Sequence, residues 1–537
     1  MHPDLVLTNA RLLDPGTGTF LPFDALAVAD GRIARLGTGR ELAAGAAELV
    51  DLDGAVVVPG LTDGHLHPVS GAERTAGVDL SGCADLDEVR AALAAAAREL
   101  AAGQWLRGWG LDPNAFGGLP VSADSVGAVL DGVPAAIDLF DAHSMLASRR
   151  ALELAGIDGP RRFEQGSAEV VCDADGRPTG LLLEDAACEL VDAVAPRPDF
   201  EELCRATAEV LRRMAAAGLT GGHAMDANGQ SLAVYAALEE RGQLPLRLRI
   251  APWVQPGVGP EELAALIRRQ GEGGRHWRIA GAKLFMDGTI DNGTAWLERP
   301  DCHGESTGAF WPDPAEYTRV VGELHRAGVP TATHAIGDAA VRHVLDAVER
   351  AVAAHGAGGV RHRVEHVETV PDDTVARFAA LGVTASMQPT HCTEYTRADH
   401  TDNWSRRLGE ERAGRAFRCR DLAEAGARVV LGSDWPIAPF APLGVMAGAR
   451  HRRPARHPEQ PPHLPGQALT PLQALAGYTL APAWAAGEED RAGRLAVGHR
   501  ADLTVLAADP LSTPDAELAA LPVRLTVRGG EITHRAG

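Results

Sequence analysis

An α/β fold is predicted for this chain: a (β/α)8 TIM barrel with a small β-sandwich domain built from both termini and an inserted α+β segment. Three observations predict it. From residue 200 onward short strand-like runs alternate with helix-period stretches, both chain ends share a different and hairpin-rich texture, and residues able to hold a metal fall where barrel strands would end.

The alternating region supplies strand candidates at 219–224, 246–254, 279–287, 330–334, 363–366, 383–388 and 429–434. The stretches between them, such as 338–348 and 372–378, repeat apolar residues at helical spacing. With the β-branched run at 55–60 these make eight, the count of a barrel whose chemistry sits at the C-terminal ends of its strands. An open doubly wound sheet would carry a phosphate-cradling Gly-x-Gly-x-x-Gly after an early strand, and the sequence has none.

Residues 4–58 read as short strands separated by turns, with Asp30-Gly31 between alternating apolar residues as a hairpin signal. The segments 493–506 and 523–532 have the same character. Neither end can close a core alone, so residues 1–58 and 487–537 are expected to form one composite domain around a barrel domain at 59–486. Between about 73 and 200 a helix-like Ala/Leu/Glu run, Gly108-Trp-Gly, a strand ending near Asp141-Ala-His143 and the turn Asp173-Ala-Asp-Gly predict an insertion over the barrel mouth.

At 537 residues the chain exceeds one ordinary domain, and 45% hydrophobic with 23% charged residues is a soluble globular composition. A net charge of −21 excludes nucleic acid as a natural partner. The N-terminus reads as a strand rather than a signal peptide, and no apolar run reaches the ~18 residues a membrane span needs, so a cytoplasmic protein without membrane contact is expected. The seven cysteines are odd in number, scattered and without a Cys-x-x-Cys pair, which indicates neither a disulfide framework nor a zinc knuckle.

Lysine and arginine total 51, yet Lys283 is the one lysine, leaving 51 − 1 = 50 arginines. A guanidinium stays protonated, whereas a buried amine can be neutral and nucleophilic, so Lys283 marks a position where arginine cannot serve.

Val58-Pro-Gly-Leu-Thr-Asp-Gly-His-Leu-His67 delivers two imidazoles two residues apart, and in extended backbone side chains so spaced share a face. His65 and His67 can therefore grip one cation with nitrogen preference. Lys283 lies on the fourth predicted strand, His334 ends the fifth, His366 the sixth and Asp434 the eighth. Singly each has a bland explanation, such as a core histidine or a helix cap. Together they form a metal site: His65, His67, Lys283, His334, His366 and Asp434.

The pattern resembles the amidohydrolase superfamily, and in detail amidohydrolase family 3, the branch of YtcJ-like proteins and N-substituted formamide deformylase. The motifs that carry the likeness run from Asn9-Ala-Arg through Lys283-Leu-Phe-Met-Asp-Gly, His334-Ala-Ile-Gly-Asp and Gly432-Ser-Asp-Trp-Pro to Gly498-His-Arg-Ala-Asp. The resemblance implies that His65, His67 and Asp434 hold a buried metal, that His334 and His366 hold a more exposed one, and that a CO2-carboxylated Lys283 bridges them. A divalent metal, zinc, at two per chain is the expected cofactor, and a homodimer would be usual for such proteins.

The chemistry expected of such a site is hydrolysis of a C–N bond in a small-molecule amide, formamide or cyclic amide by metal-activated hydroxide, with Asp434 as general base and then acid. His143, His391, Asp287 and Trp109 are candidates for binding substrate. Asp338 reads as a helix cap, Glu365 as a support for the ligands, and Cys392 as a bystander. A single-metal deaminase of the same superfamily, needing no bridging lysine, and a non-catalytic scaffold of this type are the alternative readings; the latter would lack ligands, and none is missing.

Overall fold

The computed structural model describes residues 3–101, 103–163 and 168–537. Eight parallel strands dominate the centre: β1 (Leu61–Leu66), β2 (Leu219–Ala227), β3 (Arg247–Pro252), β4 (Ala282–Phe285), β5 (Thr331–Ala335), β6 (Arg363–His366), β7 (Thr384–Met387) and β8 (Arg428–Leu431). β1, β2 and β3 pair in sequence, followed by the short strand Trp277–Ile279 that leads into β4. β4 to β8 form a second sheet, also all parallel and in sequence order. Single parallel bridges join the two sheets at both edges, Trp253 with Lys283 and Leu66 with Trp435.

Burial on both faces explains the sequence pattern of these strands. β4, β5, β6 and β7 are buried at every residue, and long helices cover the outside. The helix Asp338–His355 buries Val341, Val344, Leu345 and Val348 at helical spacing while its other face stays wet. Close approach sets glycine at the seam: a Cβ on Gly64 would strike Val430 and the carbonyl of Leu431, and one on Gly432 would strike the backbone of His65. The two ends of the site can meet there because neither residue has a side chain.

The apolar run at 55–60 does not supply the first barrel-type strand. Val56–Pro59 instead pairs with Arg11–Leu12 and with Leu503–Leu506, in a five-stranded sheet completed by Val523–Arg528 and Glu531–Arg535. Its side chains alternate between two cores, Val57 packing with Leu5, Val28 and Leu525, and Val56 and Val58 with the central strands, so both faces are apolar. A second sheet, of Arg32–Gly37, Ala25–Ala29, Leu5–Thr8 and Glu48–Asp51, shares the first of these cores. Within the insertion a six-stranded sheet runs from Glu169–Cys172 through Ala135–Leu139 to Val78–Asp79 and has its own core around Leu93, Leu111 and Ile137. No helix among the described residues is long and apolar enough to cross a membrane.

An ionic knot ties the C-terminal segment to β3 and to the strand before β4. Glu488, 6% exposed, is paired with Arg500 at 2.6 and 3.0 Å, with Arg491 at 3.3 Å and with Arg278. Burial pushes its carboxyl up, but Arg500, Arg278 and Arg249 outweigh that and hold it down at about 2 from an ordinary 4.5. A carboxyl with a depressed folded value contributes stability that is complete above 4.5 and is lost as pH falls toward 2. Glu488→Gln is therefore expected to cost about 3–5 kcal/mol at pH 7, because it strands several guanidiniums in a half-dry pocket. The penalty should shrink between pH 4.5 and 2.5 in urea titrations, and a pH-independent penalty would refute the ionic account.

Candidate metal centre

The ends of the central strands deliver the imidazoles to one point. β1 carries His65 one residue before its end at Leu66 and passes to His67, whose ring Nε2 lies 3.3 Å from that of His65. After β8 the chain turns through Asp434, whose Oδ1 is 2.9 Å from His67 Nε2 and 3.4 Å from His65 Nε2. His366 ends β6, with Nδ1 3.7 Å from Asp434 Oδ2 and its ring 4.4 Å from that of His334 on β5. His366 and Asp434 hold left-handed backbone, φ 75° and 57°, which non-glycine residues adopt at a cost and which clusters at functional sites.

Hydrogen bonds decide which ring nitrogens are free. Glu365 Oε2 lies 2.6 Å from His65 Nδ1, so that nitrogen carries the proton and Nε2 presents its lone pair to Asp434 and His67. Arg363 braces Glu365 from behind at 2.6 and 2.9 Å and also donates to the Gly64 carbonyl and Ser386 Oγ. His334 Nε2 faces the Gly288 carbonyl at 3.1 Å, which leaves its Nδ1 as the free lone pair. Burial pushes His65 down to about 4 and His334 and His366 well below their ordinary 6.5, with Lys283 or a neighbouring histidine adding to the effect. These rings are neutral, the form in which imidazole ligates.

A divalent cation fits this donor set. His65, His366 and Asp434 each offer an atom, all within 4.8 Å of one another. Among the described residues, buried His366 Nδ1 and Asp434 Oδ1 make no aligned hydrogen bond, although His67 Nε2 lies 2.9 Å from that oxygen, an arrangement costly in a folded protein unless a ligand engages them. The tight trio takes His366 with His65 rather than with His334, so the division of ligands into two sets implied by the resemblance is less sharp in space.

Lys283 is 1% exposed, lines the same cavity, and makes no ion pair among the described residues; its Nζ sits 4.8 Å from the Phe285 ring centroid. Burial, against the pull of Glu365 and Asp434, brings its amine down to about 8 from 10.5. A fraction of neutral amine is thus present near neutral pH.

The cavity above the cluster holds about 120 Å³. Its wall includes His67, His143, Lys283, His334, His366, His391 and Asp434, so the structure gathers eight of the ten sequence-selected residues when the buried neighbour His65 is counted. His391 stacks on His366 at 5.8 Å, and its Nε2 is 3.5 Å from Asp434 Oδ2. His143, from the insertion, lies with its ring 5.0 Å from that of His334 and its Nδ1 2.9 Å from Glu184.

Two expected substrate contacts are not on this wall. Asp287 is fully buried and accepts hydrogen bonds from the backbone N–H groups of Trp296, Ile336 and Gly337 at 2.9, 3.0 and 2.7 Å, so both oxygens are spent on fastening the loop after β4 to the turn after β5. Trp109 sits in the insertion's sheet, in register with Asp79 on the edge strand and away from the cavity. Glu184, Glu368 and the Arg363–Glu365 pair were less evident in the sequence. Their partners lie 41, 36 and 300 residues away or across a strand end, and no local spacing reveals them.

Replacing Glu365 by Gln removes the negative charge and leaves one acceptor oxygen where His65 and Arg363 now share two, and is expected to lower metal affinity about 10–100-fold. Competition against a chromogenic chelator measures this, and unchanged affinity would show that strand packing alone orients His65.

The family model described as "Amidohydrolase family" matches residues 48–534. The chain is 28% identical over 496 residues to the putative amidohydrolase YtcJ of Bacillus subtilis (strain 168), covering 91% of this chain and 90% of that one. It is 29% identical over 550 residues to N-substituted formamide deformylase from Arthrobacter pascens, covering 99% and 98%. The crystal structure of an uncharacterised metal-dependent hydrolase from Pyrococcus horikoshii OT3 superposes with a TM-score of 0.72 at 25% identity, over 96% of this chain and 99% of that one.

Proposed function

The chain belongs to the amidohydrolase family, and from that premise we propose that it hydrolyses a carbon–nitrogen bond in a small amide, formamide or cyclic amide. In this reading the two bridged parallel sheets are one (β/α)8 barrel, and the terminal strands at 1–58 and 487–537 are one supporting unit. His65, His67, His334, His366, Asp434 and a carboxylated Lys283 hold two zinc ions. The observation that carries the reading is the convergence of His65, His366 and Asp434 at the floor of a cavity, with His366 Nδ1 and Asp434 Oδ1 in no aligned hydrogen bond among the described residues. The likeness to the formamide deformylase of Arthrobacter pascens supports an amide-type substrate.

When bound, the metal supplies an acidified water and polarises the substrate carbonyl. Asp434 Oδ2 accepts the water's proton and returns it to the departing nitrogen, which leaves as a neutral amine. Four imidazoles surround this carboxylate within 3.7 Å, so it moves a proton without swinging away from the cluster. His391 and His143, both on the cavity wall, contact the carbonyl oxygen or the leaving group.

The tight His65, His366 and Asp434 trio also favours a second reading, a single-metal enzyme of the same family acting as a deaminase. Elemental analysis of protein purified without chelator and with bicarbonate separates the two, alongside a screen of N-formyl and N-acyl amines. About two metal equivalents with amine release are expected. About one equivalent with ammonia release from an aminated heterocycle would favour the second reading. Neither metal nor turnover after zinc is restored would overturn both.

A further inference from the structure

On the wall beside the metal cluster, the cavity is acidic and aromatic at once. Asp141, Asp291 and Glu368 line it, 7%, 9% and 6% exposed, and no arginine or lysine lies within 4 Å of their carboxylates among the described residues. Two of the cationic groups on the same cavity are already engaged, Arg74 with Asp138 at 3.1 Å and His143 with Glu184 at 2.9 Å, and the third, Lys283, stands with the metal cluster rather than within 4 Å of these acids.

The three acids differ in what they have left to give. Asp141 is used up, accepting from the backbone of His143 through Oδ1 and from Thr289 and Asn292 through Oδ2. Asp291 accepts from Asn403 through Oδ1 at 3.1 Å, and its Oδ2 takes no hydrogen bond among the described residues. Glu368 accepts from the Trp404 indole through Oε2 at 2.7 Å, while Oε1 has the His391 ring at 3.6 Å. Burial pushes the Asp291 carboxyl well up, with Glu368, Asp112 and Asp141 adding to the effect.

Two further features point to a ligand. His391, 8% exposed, has an Nε2 with no hydrogen-bond partner among the described residues and lines the cavity between Glu368 and Asp434. Aromatic faces fill the remainder of this wall: Phe140 against Tyr395 at 4.0 Å, and Trp404 stacked on Phe417 at 5.5 Å. Carboxylates with aromatic rings are the surroundings that receive an organic cation and repel an anionic group.

Resting on the hydrolase reading above, we propose that the preferred substrate carries a cationic substituent, an ammonium or guanidinium, that is received by Asp291 and Glu368 over the rings of Phe140, Tyr395 and Trp404 while the scissile amide lies at His391 and Asp434. The selectivity is for charge. A neutral isostere leaves the acids unpaired, and an acidic one meets repulsion.

Binding of product-like amines tests this without turnover. With zinc-loaded protein, calorimetry compares phenethylammonium and agmatine with the neutral phenethyl alcohol, for the wild type and for Asp291→Asn and Glu368→Gln. The cations are expected to bind at least about tenfold tighter than the alcohol, and each variant to lose at least about fivefold of that advantage. Equal binding of alcohol and cation by the wild type would overturn the proposal whatever the variants do. Hydrolysis of neutral N-acyl amines as fast as cationic ones would overturn it while leaving the hydrolase reading intact. Tight cation binding with no amide hydrolysed would leave the acidic wall standing and remove the hydrolase reading.

Discussion

Asp434→Asn is expected to lower kcat/KM by at least about 10⁴-fold, the upper end of what one proton-transferring group supplies, because this residue is asked to do two things. It lies within 3.7 Å of His65, His67, His366 and His391, so it is the carboxylate around which four imidazoles are arranged. Asparagine has the same shape but swaps one acceptor oxygen for an N–H2 group and removes the charge. Packing is preserved, so thermal unfolding of the variant should stay close to wild type in the metal-free state. With metal, the wild type should gain more stability than the variant, since only a state that binds tightly is stabilised by mass action. A variant retaining more than about a tenth of wild-type kcat/KM would exclude Asp434 as the proton carrier.

How far the sequence could lead here depended on whether a signal was local. His334, His366 and Asp434 were legible because each lies at or just past the end of a short strand-like run, and the barrel period places the ends of such runs on one face. The first strand was harder. Leu61–Leu66 contains Thr62, Asp63 and Gly64, which hide it, while the fully apolar Val56–Pro59 next door belongs to the terminal sheet. The interruptions have causes that only the fold reveals: Gly64 permits the approach of β8, and Asp63 accepts the backbone N–H groups of His65 at 3.0 Å and Ser433 at 3.1 Å, pinning the two ends of the site together. Both of its oxygens face those backbone donors, Oδ2 with Ser433 at 3.3 Å as well, so it acts as a structural clasp.

The pocket wall was legible only in part, for a related reason. His143 and His391 could be selected as histidines near strand ends, but their partners Glu184 and Glu368 sit in segments whose placement depends on loops. Glu184 has φ 64° at the start of the helix Asp185–Asp192, a conformation no sequence pattern announces. Asp287 misled in the opposite direction. Its position just past β4 is the one a substrate-binding carboxylate would occupy, yet three backbone donors claim it.

Lys283→Arg is expected to cost about one metal equivalent per chain and at least about 10³-fold in kcat/KM. One lysine among 51 basic residues occupies a site 1% exposed, on β4, with no carboxylate paired to it among the described residues. An amine in that setting is brought down to about 8, so near neutral pH part of it is uncharged, and only the uncharged amine can add CO2. Carboxylation converts a buried cation into an anion with two oxygens and adds a negative charge exactly where three neutral imidazoles converge; arginine, always protonated, cannot follow. The stability of the free protein should therefore change little on substitution, whereas metal uptake should change greatly. Reconstitution of metal-free wild type with zinc should depend on added bicarbonate, and reconstitution of Lys283→Arg should not. Bicarbonate-independent uptake by the wild type, or a fully loaded and active arginine variant, would remove the bridging role and leave Lys283 as a buried amine beside a single-metal site.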